Sequence, residues 1–211
     1  MKTLTLLFTF LISFPLALSA QSAEDVLQKV SVAMTAEQWE QAVSLFRQAI
    51  QLNADKSEMF YWTSVDKASS VGTKMAQELA FHYKTMRNYD KAYLFCKEVL
   101  QKNPNDVKWL AACAETEVCR GKEKDALLTY QKVLSLDVNH LAANIFVGNY
   151  YYLMAEQEKQ QLMRDYKKIS SPTRMQYARY KFMDIMDERL LPLVEMIHRY
   201  GKGYEQEGYI I

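Results

Sequence analysis

Glycine and proline are scarce, six and four among 211 residues, and a chain so poor in helix breakers favours helices. Cysteine is scarce too: Cys96, Cys113 and Cys119 are too few for a disulfide scaffold and odd in number. Cys113 and Cys119 are six residues apart on one predicted helix, about 9 Å along its axis, so they do not bridge each other. Cys96 with Cys113 is the one pairing left to consider, and the expected state of these thiols is that of small buried apolar side chains. An excess of either charge is also missing. Lysine and arginine number 26 against 25 acidic residues, and removing residues 1–20 takes away only Lys2, leaving 25 of each. Without a basic block the chain lacks the phosphate-neutralising cluster that a nucleic-acid partner needs, and it lacks a means of electrostatic docking onto lipid.

No apolar run is long enough for a membrane span. The stretch from Leu4 to Leu18 is interrupted by Thr5, Thr9, Ser13 and Pro15, and a span needs roughly 20 apolar residues. With Lys2 ahead of it and Ser19-Ala20 behind, this stretch reads as a cleaved export signal. Cutting after Ala20 starts the mature chain at Gln21, and cutting after Ser22 places Ala20 at the third position before the cut. No cysteine lies near the junction to carry a lipid, so the expected destination is the periplasm or the exterior, and not as a lipoprotein.

Internal periodicity is what the chain has in place of these features. Tyr89-Asp90-Lys91-Ala92 and Glu123-Lys124-Asp125-Ala126 set Ala92 and Ala126 thirty-four residues apart. Leu79-Ala80, Cys113-Ala114 and Val147-Gly148 keep that offset, as do Val99-Leu100 and Val133-Leu134. Small residues at Ala80, Ala114 and Gly148 on one helix, and at Ala92 and Ala126 on its partner, let the two approach closely. Asn103-Pro104-Asn105 and Gly121 punctuate the turns. With Ala80, Tyr83, Ala92 and Pro104 at its small, aromatic, small and proline positions, the chain resembles the tetratricopeptide repeat family over most of residues 73–153. The resemblance implies an all-α fold, a right-handed superhelix of antiparallel helical hairpins whose stacked neighbours supply one continuous core. Asn149-Tyr150-Tyr151-Tyr152 and Tyr166-Lys167-Lys168-Ile169-Ser170-Ser171-Pro172 are similar to a group of exported tetratricopeptide proteins from Gram-negative anaerobes that has no assigned role.

Around that core, residues 21–53 read as a first hairpin, with Trp39, Ala42, Phe46, Ala49 and Ile50 at helical spacing and Thr35 with Gln38 as a capping box for its second helix. Ala42 and Ala92 are fifty apart, so residues 54–72 break the period and read as an irregular insertion. Within it, Met59-Phe60-Tyr61-Trp62 packs across the joint and Ser69-Ser70-Val71-Gly72 forms a loop. Residues 73–153 hold about two and a half repeats. Residues 154–203 hold a long helix and further C-terminal helices, with Ser171-Pro172 as a helix start, a break at Pro192, and Gly201 and Gly203 as the stop. Residues 204–211 are a tail.

Catalysis finds no constellation. His82, His140 and His198 sit in separate elements without ligand spacing. Asp184, Asp187 and Glu188 share a face with Lys181 and Arg189, as a solvated surface does. Gly201-Lys202-Gly203 lacks the rest of a phosphate loop. The expectation is a protein that is not an enzyme and uses no metal or cofactor. In the tetratricopeptide arrangement the first helices of successive units line a groove. The register nominates Lys74, Gln77, Phe81 and Lys84, then Lys108, Ala111 and Glu115, then Ala142, Ile145, Asn149 and Tyr152. The basic carboxylate clamp known in this family wants Lys, Asn and Arg where this chain has Gln77, Phe81, Ala112, Ala142 and Phe146, so a mixed aromatic groove is expected instead. The function implied is an exported adaptor or assembly factor holding a protein of unknown identity. The alternatives are a chaperone-like holder of envelope proteins, and an enzyme or ligand-binding subunit with a pocket beside the insertion.

Overall fold

The computed structural model describes residues 22–167 together with Leu191 and Glu195, and among these residues all regular structure is helical. The expected signal, the helix start at Ser171-Pro172, the break at Pro192, the glycine stop and the tail lie outside the described residues, as do His198 and the acidic face around Asp184.

Among the described residues eight helices follow one another through short turns: α1 (Ala23–Thr35), α2 (Trp39–Leu52), α3 (Ala54–Ser64), α4 (Ser70–Thr85), α5 (Tyr89–Lys102), α6 (Val107–Cys119), α7 (Glu123–Leu136) and α8 (Leu141–Lys167). Most starts are set by side chains that accept orphan backbone N–H groups. Ser22 and Asp25 form a reciprocal capping box on α1, Asn53 accepts from Lys56 at 2.9 Å, Ser69 from Gly72 at 2.9 Å, and Asp106 from Trp109 at 3.1 Å. The box expected from Thr35 and Gln38 is not formed. Thr35 is the last residue of α1, where its hydroxyl donates 3.0 Å to the Ser31 carbonyl, and Gln38 makes no side-chain cap.

Three turns share one geometry. In α1–α2, α4–α5 and α6–α7 a left-handed residue, Glu37 (φ 55°), Arg87 (φ 57°) or Gly121 (φ 71°), is followed by a residue whose N–H reaches back to the carbonyl of Ala33, Tyr83 or Glu117. This is the left-handed helix ending that satisfies the last carbonyls of each first helix. Each turn closes a tight hairpin over a core of Val26, Val30, Ala42, Phe46 and Ala49, then Leu79, Ala80, Ala92 and Phe95, then Cys113, Ala114, Ala126 and Val133. The small residues that the repeat spacing singled out are buried where paired helices meet, as the hairpin stack of the tetratricopeptide type requires.

Residues 54–72 carry more order than an irregular insertion. They hold the eleven-residue helix α3, and Ser69-Ser70-Val71-Gly72 is the cap and first turn of α4 rather than a loop. Gly72 is there for space: a Cβ on it would lie 2.2 Å from the Asp66 carbonyl oxygen. The fifty-residue offset exceeds the repeat by sixteen residues, one helix with its turn, and counted through α3 the period is intact. Ala42, Ala76, Leu110 and Asn144 are all buried at steps of thirty-four, and so are Val65, Val99 and Val133.

The added helix has a consequence for direction. Glu40 pairs with Lys74 near the starts of α2 and α4, and Arg47 with Glu78 further along, so α2 and α4 run parallel. Glu58 with Lys91 and Tyr61 with Phe95 show the same for α3 and α5. The helices therefore form two layers, α2, α4, α6 and α8 against α1, α3, α5 and α7. α8 continues unbroken to Lys167, nearly twice the length of α7, with no second turn among the described residues.

Candidate protein-binding face

The parallel α2, α4, α6 and α8 present two exposed rows at thirty-four-residue steps: Glu40, Lys74, Lys108, Ala142, and Arg47, Phe81, Glu115, Asn149. These rows are exposed because the positions that alternate with them, such as Phe46, Ala80, Ala114 and Gly148, turn into the hairpins. Gln77, Lys84 and Ile145 lie half-buried beside the rows, and Tyr152 is exposed. Ion pairs join the α4 residues of these rows to α2 and to α6, and the thirty-four-residue step carries the rows on to α8. The register that found them stopped at Lys74, and the structure adds Glu40 and Arg47 from α2. The repeat spacing does not reach them, because it makes α2 the second helix of a hairpin, whose surface points elsewhere.

Ion pairs lace the face. Lys74 bonds Glu40, Arg47 donates to both Glu78 oxygens at 2.6 and 2.7 Å, and Lys84 donates to Glu115 at 2.6 Å. The bidentate Glu78 partner holds the Arg47 guanidinium above its usual range. Such pairs are screened by solvent and add little stability, but they neutralise the face and fix its side chains. Lys108 is exposed, with no ion pair among the described residues. Amid this neutral lattice Phe81 stands 70% exposed, and Tyr152 46%, on a face where α4 turns Met75, Leu79 and Tyr83 inward.

Behind the face lie polar groups that serve the fold. Glu58 accepts from Lys91 Nζ at 2.7 Å and from the Tyr83 hydroxyl at 2.5 Å, and Lys91 also bonds Asp55 at 3.0 Å, so this network rivets α3 to α4 and α5. Burial, then the Glu58 hydrogen bond, pushes Tyr83 up to about 12. At the position of Tyr83 one repeat later stands Glu117, buried at 4% exposure, its Oε2 without a hydrogen-bond partner among the described residues. Burial and then the Glu117 charge raise Tyr93, over whose ring the Arg120 guanidinium sits at 4.4 Å. Cys96 and Cys113 are buried free thiols and Cys119 is an exposed one. His140 Nδ1 accepts from the Ala143 N–H at 3.3 Å at the start of α8, and burial lowers His82. Among the described residues no three His, Cys, Asp or Glu side chains cluster as metal ligands, and no helix is long and apolar enough to cross a membrane.

A solved structure from Bacteroides ovatus, that of a candidate protein-binding protein, is 54% identical over 88% of this chain and 96% of its own, with a TM-score of 0.69. Two MamA structures, one of a D159K mutant, are 18% and 12% identical over 65% and 91% of this chain and 90% and 84% of theirs. Their TM-scores are 0.41 and 0.42, too low to bear on fold or function. No protein-family model matches the chain, nor does any curated protein.

Proposed function

The chain belongs to the family of the Bacteroides ovatus protein, and from that premise we propose that it is a non-catalytic scaffold, acting in the periplasm or outside the cell, that holds a partner protein on the α2–α4–α6–α8 face. The observation that carries this reading is Phe81, a phenyl ring 70% exposed in the middle of a row whose charged neighbours are already paired with one another. On this face only Lys108 stands without an ion pair among the described residues, so a charged partner would have to strip water from groups that are mostly neutralised already, whereas apolar side chains seated on Phe81 and on Tyr152 gain burial without that cost. The partner surface that fits is an amphipathic helix or peptide presenting one or two large apolar residues, with Lys74, Gln77, Lys84, Lys108, Glu115, Ile145 and Asn149 forming the rim.

A photo-crosslinking amino acid placed at position 81 or 152 and activated in the native cell envelope should yield one discrete protein adduct. Uncrosslinked chain at both positions would remove the reading. Many adducts, together with suppressed aggregation of unfolded envelope proteins, would move the function to a general holder. The N-terminal mass of the purified mature protein tests export: it should begin at Gln21 or Ala23, and a chain still carrying residues 1–20 would contradict it.

A further inference from the structure

We propose that the cleft between the α4–α5 and α6–α7 turns is a second docking site, for an acidic segment of a partner protein. The cleft, about 480 Å³, is lined by Met86, Arg87, Tyr89, Asp90, Arg120 and Lys122 among others, so three cations face one acid. Arg120 is immobilised, its Nε donating 2.8 Å to Asp90 and its guanidinium lying on Tyr93, which leaves its terminal nitrogens preset for a ligand. Arg87 and Lys122 are exposed and form no ion pair among the described residues. A guanidinium held in this way matches a carboxylate in a forked geometry, and the exposed Arg87 and Lys122 beside it add charge of the same sign.

The cations also stand where local stability asks for something else. Arg87 holds the left-handed conformation that the next turn assigns to Gly121, and Lys122 occupies the cap position of α7 without a side-chain bond where Asn88 caps α5. The left-handed position tolerates several residues, for Glu37 holds it in the first turn, beside Glu40. The three turns thus share a backbone and differ in charge, and the cationic residues converge only between the second and third. Met86 and Tyr89 add apolar wall for a side chain between the acids.

Those same two positions make the test independent of folding. Arg87→Gly and Lys122→Asn each remove a cation while supplying the residue that the turn or the cap prefers, so the double variant should melt no lower than the wild type. The probe is a fluorescein-labelled peptide, Asp-Glu-Leu-Asp-Asp, added to the full mature protein at about 0.15 M ionic strength and read by anisotropy. The wild type should bind it, more tightly at lower salt, and the double variant should bind at least about tenfold more weakly. Equal binding by the variant, equal binding of an Asn-Gln-Leu-Asn-Asn peptide, or no binding by the wild type would overturn the proposal. Inorganic phosphate that stabilises the wild type while the peptide does not bind would also overturn it, assigning the cleft to a small anion.

Discussion

Single residues in this chain are chosen by what their neighbours leave room for. Gly72 looks like loop punctuation and is a steric necessity, because the Asp66 carbonyl sits where its Cβ would be. Gly72→Ala should therefore destabilise the protein. The helix-propensity gain of about 1 kcal/mol is outweighed by about 1–3 kcal/mol of overpacking against backbone that cannot rotate away, and the melting temperature should drop by a few degrees. The thiols divide in the same way. Burial pushes Cys96 up to about 11 and Cys113 up to about 12, whereas Cys119 is exposed. Near pH 8 a thiol-specific reagent should titrate one thiol of the three in the native protein and all three after unfolding without reductant. A single reactive thiol in the unfolded protein would instead reveal a Cys96–Cys113 bridge. Glu117 marks where residue spacing misleads: the repeat asks for an aromatic side chain there and the chain supplies a buried carboxylate.

At the scale of elements, α4 to α7 could be read directly because their small residues recur at a fixed interval and their turns carry Asn, Pro or Gly. Helix α3 could not. Its buried residues are only Ser57 and Tyr61, with Val65 at the cap beyond them; one of the two is polar, and Phe60, Tyr61 and Trp62 in succession blur the period. Its position depends on remote groups, the Glu58–Lys91 pair above all. Burial alone would raise the Glu58 carboxyl, yet the hydrogen bonds from Lys91 and Tyr83 outweigh it and hold the group below its ordinary 4.5. A carboxylate depressed by folding contributes stability that is fully present above its ordinary value and is lost as pH falls through the lowered one. The wild type should accordingly lose stability on acidification below about pH 4.5. Lys91→Met should cost about 1–3 kcal/mol at neutral pH, by leaving Glu58 buried without its cation, and should flatten that acid limb. Urea midpoints measured at pH 7 and near pH 4 would show both effects, and an unchanged acid limb would exclude the pair as its source.

For the whole molecule, the α2–α4–α6–α8 face is a property of the stack and belongs to no single hairpin. Phe81→Ser should leave the melting temperature within a degree or so of the wild type, since an exposed side chain contributes little to the core, and yet abolish the adduct captured from position 152. A large loss of stability would mean that Phe81 is part of the packing and would remove it from the binding face.

The sequence by itself determined the helical class and the thirty-four-residue hairpins, because each depends on residues within one or two turns of one another or on a strict interval. Most of the face was legible for the same reason: once the interval is known, the positions that alternate with the buried ones follow. The added helix and the direction of the first hairpin were decided by tertiary structure. Whether residues 54–64 stand as a helix is settled by the Glu58–Lys91 and Tyr61–Phe95 contacts, more than thirty residues apart in the chain. One helix more or fewer reverses every element on one side of it, and this is why α2, and not α1, carries the face on past Lys74.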